Sequence, residues 1–157
     1  MVRVSQAWLV KSEPSIFSFQ NLLESPGQTA AWEGVRNYQA RNNLRAMRAG
    51  ERVLFYHSVT NPTAIVGLCE VAREAYPDAT QFDPSSEYFD AKADPGTPRW
   101  LQVDLKAVAA FPKRITLDAL RADGRTRGMV LLQRGSRLSV QPVGAQELAD
   151  ILELAGL

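Results

Sequence analysis

With 157 residues, 45% of them hydrophobic, the chain can bury one core, and two domains cut from it would each be undersized. Its formal net charge is +1, and with one cysteine and one histidine it can form neither an internal disulfide nor a Cys/His metal cluster. No stretch approaches the ~20 apolar residues of a membrane-spanning helix, and Met1-Val2-Arg3-Val4-Ser5-Gln6 lacks the apolar run of a secretory leader. The expectation is therefore a single domain over residues 1–157, monomeric, cytoplasmic and off the membrane.

Ala7-Trp8-Leu9-Val10-Lys11 reads as a first strand stopped at Pro14, and Ser18 caps a short helix through Phe19, Leu22 and Leu23. Asn37 caps a helix that reaches Arg48 and ends at Gly50, with Leu44 and Met47 facing inward and Arg41, Arg45 and Arg48 on one basic face. Arg52-Val53-Leu54-Phe55-Tyr56-His57 is apolar on both faces, as a central strand would be. Asn61-Pro62 marks a turn, and Ala64 to Val71 is β-branched enough to pair back. Tyr76 to Pro98, with Pro77, Pro84, Pro95 and Pro98 among several aspartates, reads as a long loop. Trp100 to Leu105 is a strand extended to Phe111 and closed by Pro112, and Thr116 caps a short helix through Leu120 that stops near Gly124. Arg137 to Pro142 forms the last strand, and Gly144 leads into a helix with Leu148, Ile151, Leu152 and Ala155 inward. Short strands with irregular connections predict an α+β, barrel-like arrangement: a mixed, curled sheet of five or six strands with short helices around it.

The small net charge hides segregation along the chain. Val35 to Cys69 holds five arginines against Glu51 (+4), Glu70 to Asp94 is acidic (−5), and Lys113 to Arg137 is basic (+5). If the two basic segments meet, they form a patch for phosphates; otherwise they are solvated faces.

His57-Ser58 is the first pair to test for nucleophilic catalysis. Adjacent side chains on a strand point to opposite faces, and no G-x-S-x-G elbow occurs, so a strand-end histidine bonded to backbone is the simpler reading. Cys69 sits in an apolar strand and reads as an inert buried thiol. Phosphate-binding glycine motifs are absent, so no nucleotide cofactor is expected. Polar groups beside aromatics are more informative. Lys11-Ser12-Glu13, Trp32 to Tyr38, Tyr56-His57-Ser58 and Ser136 to Ser139 all stand at element ends. A planar heterocycle held by stacking and read along its edges needs that combination. The alternative is that Trp32 and Tyr56 are core and Lys11-Ser12-Glu13 is a turn.

Trp8 to Pro14, Trp32 to Asn42, Phe55 to Ser58 and Ser136 to Val143 are similar to the four signature blocks of the EVE domain, in order and across nearly the whole chain. The resemblance implies a PUA-like pseudobarrel, related to the YTH domains that read methylated adenine in RNA. It implies a nucleic-acid reader, on DNA or RNA, that accepts a modified, flipped-out base without catalysis, cofactor or metal. On that reading Lys11, Ser12 and Glu13 line the pocket, with Val35, Tyr56 and His57 beside them. Trp32 and Tyr38 supply walls, and Asn37 and Ser58 bond a base edge. Arg137, Leu138 and Ser139 complete the rim, while Arg36, Arg41 and Arg45 meet phosphates. Two other functions stay open: an enzyme acting on a nucleobase with Glu13 or His57 as acid or base, and a protein-interaction module using the acidic loop between Gln81 and Ala93.

Overall fold

A computed structural model describes residues 6–157; the leader reading of Met1 to Ser5 lies outside the described residues. The elements are β1 (Ala7–Ser12), α1 (Phe19–Glu24), β2 (Thr29–Trp32), α2 (Tyr38–Ala46), β3 (Arg52–His57), β4 (Ala64–Pro77), β5 (Leu101–Thr116), α3 (Leu117–Ala122), β6 (Val140–Val143) and α4 (Ala145–Ala155). Six strands form one mixed sheet in the order β2-β5-β4-β3-β1-β6. β1 pairs parallel to β3, with Ser12 opposite His57, and antiparallel to β6.

The strands next to the centre explain the two-sided hydrophobicity read from the sequence. On β1 and β3, Trp8, Val10, Val53 and Phe55 enter one core with Phe19, Leu22 and Leu44 of α1 and α2. Their neighbours Leu9, Leu54 and Tyr56 enter a second core with Leu120 of α3 and Ile151 of α4. Period-two alternation therefore feeds both faces, and helices cover each. Gly67 on β4 permits one close approach: a Cβ there would lie 2.5 Å from the Phe19 ring, so only a glycine lets α1 settle against the sheet.

Four boundaries and one whole strand differ from expectation. β5 does not stop at Pro112. Its register with β4 jumps from Gly67↔Ala110 to Ile65↔Ile115, so Pro112 sits in a bulge where no ladder needs its missing N–H. β4 likewise runs on to Pro77, into the segment read as loop. β2 was not expected, because Thr29-Ala30-Ala31-Trp32 carries almost no alternation; it is an edge strand, fixed by pairing with Val103 to Lys106. The last strand starts at Val140 rather than Arg137, since the ladder with β1 begins at Val10↔Val140 and only Lys11 N–H reaches further, donating to the Ser139 carbonyl. α2 ends at Ala46, so Arg48 leaves the basic stripe and pairs with Glu74 instead.

Candidate functional site

At the C-terminal end of β1 a cavity of about 490 Å³ opens among Lys11, Ser12, Glu13, the Ile16-Phe17 loop, Trp32, the turn Glu33 to Arg36, Glu87, Tyr88 and Ser139. That volume falls in the ~300–1,000 Å³ range of small-molecule sites. Strand β1 delivers Lys11 and Ser12, β2 delivers Trp32, and the backbone of residue 139 closes the side toward β6.

Two aromatic side chains flank it. Trp32 is gripped at right angles by Phe55 (centroids 5.5 Å, 84°) and Phe17 (6.2 Å, 79°), which fixes the plane of the indole and leaves part of it to the cavity. Tyr88 comes from the acidic loop and lies against Gly34, where φ is +82° and a Cβ would stand 2.7 Å from the ring. A side chain at position 34 would displace this wall.

Arg36 holds the arrangement together. Its guanidinium donates to the Tyr88 carbonyl twice (2.7 and 3.0 Å), to the Val35 carbonyl (3.0 Å), to Asp78 Oδ2 (3.1 Å) and to Thr80 Oγ1 (3.0 Å). All five N–H donors are thereby spent inside the protein. Asp78 is fully buried and also accepts from Gly34 N–H at 2.8 Å. Burial pushes its carboxyl up, but the bonds from Thr80, the Gly34 and Thr80 amides and Arg36 outweigh that and hold it below the usual carboxylate range.

The chemistry inside the cavity is mixed. Lys11 Nζ reaches only the Ser136 carbonyl, at 3.5 Å, and no carboxylate lies within ion-pairing distance of it among the described residues. Burial lowers its pKa, the sign of an ammonium that has lost water without gaining an anion. The Ser12 hydroxyl donates to the Phe17 carbonyl, so its lone pairs alone remain for a ligand. Burial and the charge of Asp78 raise the pKa of Glu33, against the pull of Arg36. Flat apolar faces, one donor-only head and carboxylate acceptors suit a planar heterocycle with both donor and acceptor edges.

Of the residues expected at the site, Lys11, Ser12, Glu13, Trp32, Val35 and Ser139 line this cavity. Asn37, Arg137 and Leu138 line a neighbouring hollow of about 320 Å³ with Gln39 and Arg134. The Asn37 side chain is also engaged as the α2 cap, accepting from Ala40 N–H at 2.9 Å. Tyr38 stands outside, stacked on Trp100 (4.9 Å, 24°) with Arg41 4.9 Å above its ring. Tyr56 is a correction: one position after Phe55, it points to the opposite face and is core. Ser58 contributes its backbone, donating to the Ser12 carbonyl. His57 is also displaced from the expected pocket. Phe19 N–H donates to its Nε2 at 3.1 Å, and the ring lies edge-on to Phe55 in a separate hollow. Burial, then the charge of Arg114, lower its pKa, so the ring is neutral.

The phosphate assignments change as well. Arg36 has no free donor, and Arg41 donates to the Arg99 carbonyl and to Asn42. Arg45 is exposed and without an ion-pair partner among the described residues. Cys69 is buried, and burial pushes its thiol far up. Ile16, Phe17, Ala31, Glu87 and Tyr88 are the lining residues missing from the sequence reading, and Glu33 and Gly34 enter it only within the Trp32 to Tyr38 block.

A mixed six-stranded sheet with short helices on both faces and an aromatic-walled cavity at its strand ends marks an α+β domain of the PUA-like type. The chain belongs to the EVE domain family, whose model matches residues 6–154. It is 39% identical to human thymocyte nuclear protein 1, over 96% of this chain and 74% of that protein. The human protein, THYN1, has been solved in complex with 5-methylcytosine-containing DNA, and this chain matches that structure with a TM-score of 0.92 at 39% identity, covering 98% of this chain and 99% of that one. A hypothetical protein from Leishmania major matches at 46% identity and TM-score 0.91, over 98% and 96% of the two chains.

Proposed function

We propose that this chain is a nucleic-acid reader that takes a modified base, flipped out of its strand, into the cavity between Trp32 and Tyr88. The observation that carries the reading is the unpaired Lys11 ammonium set inside an aromatic-walled cavity in a chain so close to a relative solved with 5-methylcytosine DNA. Methylcytosine in DNA is thus the first ligand to test. Stacking on the aromatic walls supplies ~1–3 kcal/mol per base. Lys11 donates to ring or carbonyl acceptors, and the carboxylates accept from an exocyclic amine.

Binding, rather than turnover, is what these groups are arranged for. His57 is tied to Phe19 outside the cavity, and Cys69 is buried away from it. The acidic loop, the alternative docking element for another protein, spends part of its charge inside the fold while Asp83 and Glu87 stay exposed. Asp78 holds Arg36, and Asp90 accepts from the Trp100 indole at 2.8 Å and pairs with Arg99.

The test is a titration of matched oligonucleotides carrying cytosine, 5-methylcytosine, other modified cytosines or methylated adenine, in DNA and RNA. A preference of tenfold or more for one modified base is expected. Equal affinity for modified and unmodified strands at low salt would remove the reading.

A further inference from the structure

A second polar site lies on the other flank of β1. In the sheet β1 stands between β6 and β3; the base cavity uses the β6 side through Ser139, and a separate hollow of about 260 Å³ opens on the β3 side. Pro14, His57, Thr60, Asn61 and Arg114 line it, and no carboxylate does.

His57 gives this hollow its chemistry. The residue is 7% exposed, and its Nε2 accepts from Phe19 N–H, so the neutral ring carries its proton on Nδ1. Nδ1 meets no acceptor among the described residues, yet it is not sealed from solvent, and His57 lines this hollow. Arg114 is exposed and forms no ion pair among the described residues. Thr60 and Asn61, both exposed, add a hydroxyl and an amide to the lining. Donors without an acid, one of them a buried imidazole N–H, select an anion.

We propose that this hollow binds a phosphate group, held by the Arg114 guanidinium, the His57 Nδ1–H and the Thr60 hydroxyl. Two sources fit the same chemistry: a backbone phosphate of a strand whose modified base occupies the Trp32 cavity, or free inorganic phosphate. Ser12 of the cavity and His57 of the hollow are paired across β1 and β3, so one strand can engage both. The strand form rests on the reader assignment; the free form does not.

His57 is the sole histidine, so ring nitrogen NMR reports on this site without ambiguity. At pH 8, where the ring is neutral with or without the Arg114 charge, titrating inorganic phosphate into the full chain should shift Nδ1 in a saturable manner, and Arg114→Gln should weaken that response at least tenfold while the phosphate-free Nε2 resonance stays in place. No shift, or an equal shift in the variant, would overturn the site. With a methylcytosine oligonucleotide, a salt slope reduced by ~0.7 in Arg114→Gln, the value for one single-strand phosphate contact, assigns the anion to the strand. An unchanged slope alongside the phosphate response assigns it to free phosphate. Phosphate binding with no oligonucleotide binding at all would sink the reader reading and leave this site standing.

Discussion

Lys11 sits where a lysine is costly. A half-buried ammonium without a carboxylate loses part of its hydration and gains little, so its retention at the cavity is explained by what it binds. Lys11→Met keeps the apolar stem and removes the charge. It should leave the urea midpoint unchanged or raise it, while weakening oligonucleotide binding by ~1.5–3 kcal/mol, the range for a hydrogen bond to a charged group. Loss of both would make Lys11 structural. His57 has the opposite character. Its pKa is lowered in the fold, so between the usual value of 6.5 and its folded value the unfolded chain binds more protons. Stability is accordingly full above pH 6.5 and declines as pH falls below it. In His57→Gln that part of the decline should vanish, as measured by urea midpoints at pH 8 and pH 5.5. At this scale the sequence is legible only in part. Lys11, Ser12 and Trp32 are readable because polar and aromatic types stand at strand ends. Tyr56 is not, because β3 is buried on both faces and hydropathy gives no sign of which face a given residue takes. Arg36 reads as a phosphate ligand until the acidic loop is seen to consume all its donors.

The loop between β4 and β5 is the element that makes the cavity. Asp78, Thr80 and Tyr88 are clamped by Arg36, and Gln81 fastens the loop's far end, donating to the Trp100 carbonyl at 2.8 Å and accepting from the Trp100 amide. Arg36→Ala leaves the Asp78 carboxylate buried without its cation, which should cost ~3–5 kcal/mol of stability. Thermal unfolding checks this, and a shift of only a degree or two would contradict the clamp. Composition marks this stretch as loop, through its prolines and aspartates. It gives no sign that the loop folds back, because that depends on partners 42 to 52 residues away in sequence. β2 escapes for a related reason: Thr-Ala-Ala-Trp has no pattern of its own and becomes a strand only against β5.

For the molecule as a whole, the segregated charge resolves into two different uses. The acidic segment neutralises much of the first basic one, through Asp78 with Arg36, Glu74 with Arg48 and Glu70 with Arg52. The second basic segment keeps Arg114, Arg127, Arg134 and Arg137 exposed and unpaired among the described residues. Oligonucleotide affinity should therefore fall steeply with salt, and Arg134→Gln and Arg137→Gln should each reduce the slope by ~0.7 on a single strand. Arg52→Gln, whose charge already faces Glu70, should leave the slope unchanged. Of the fold, the central strands and the helix caps are readable from continuous apolar and β-branched runs and from Ser18, Asn37 and Thr116, all three of which accept a backbone N–H as expected. The sheet order was not, since long-range pairing leaves no local trace. A crystal structure of the chain with a methylcytosine oligonucleotide decides whether the cavity between Trp32 and Tyr88 takes a modified base. The base should lie out of its strand against Trp32, with Lys11 Nζ on its edge. A complex in which every base stays stacked and the cavity stands open would contradict the account.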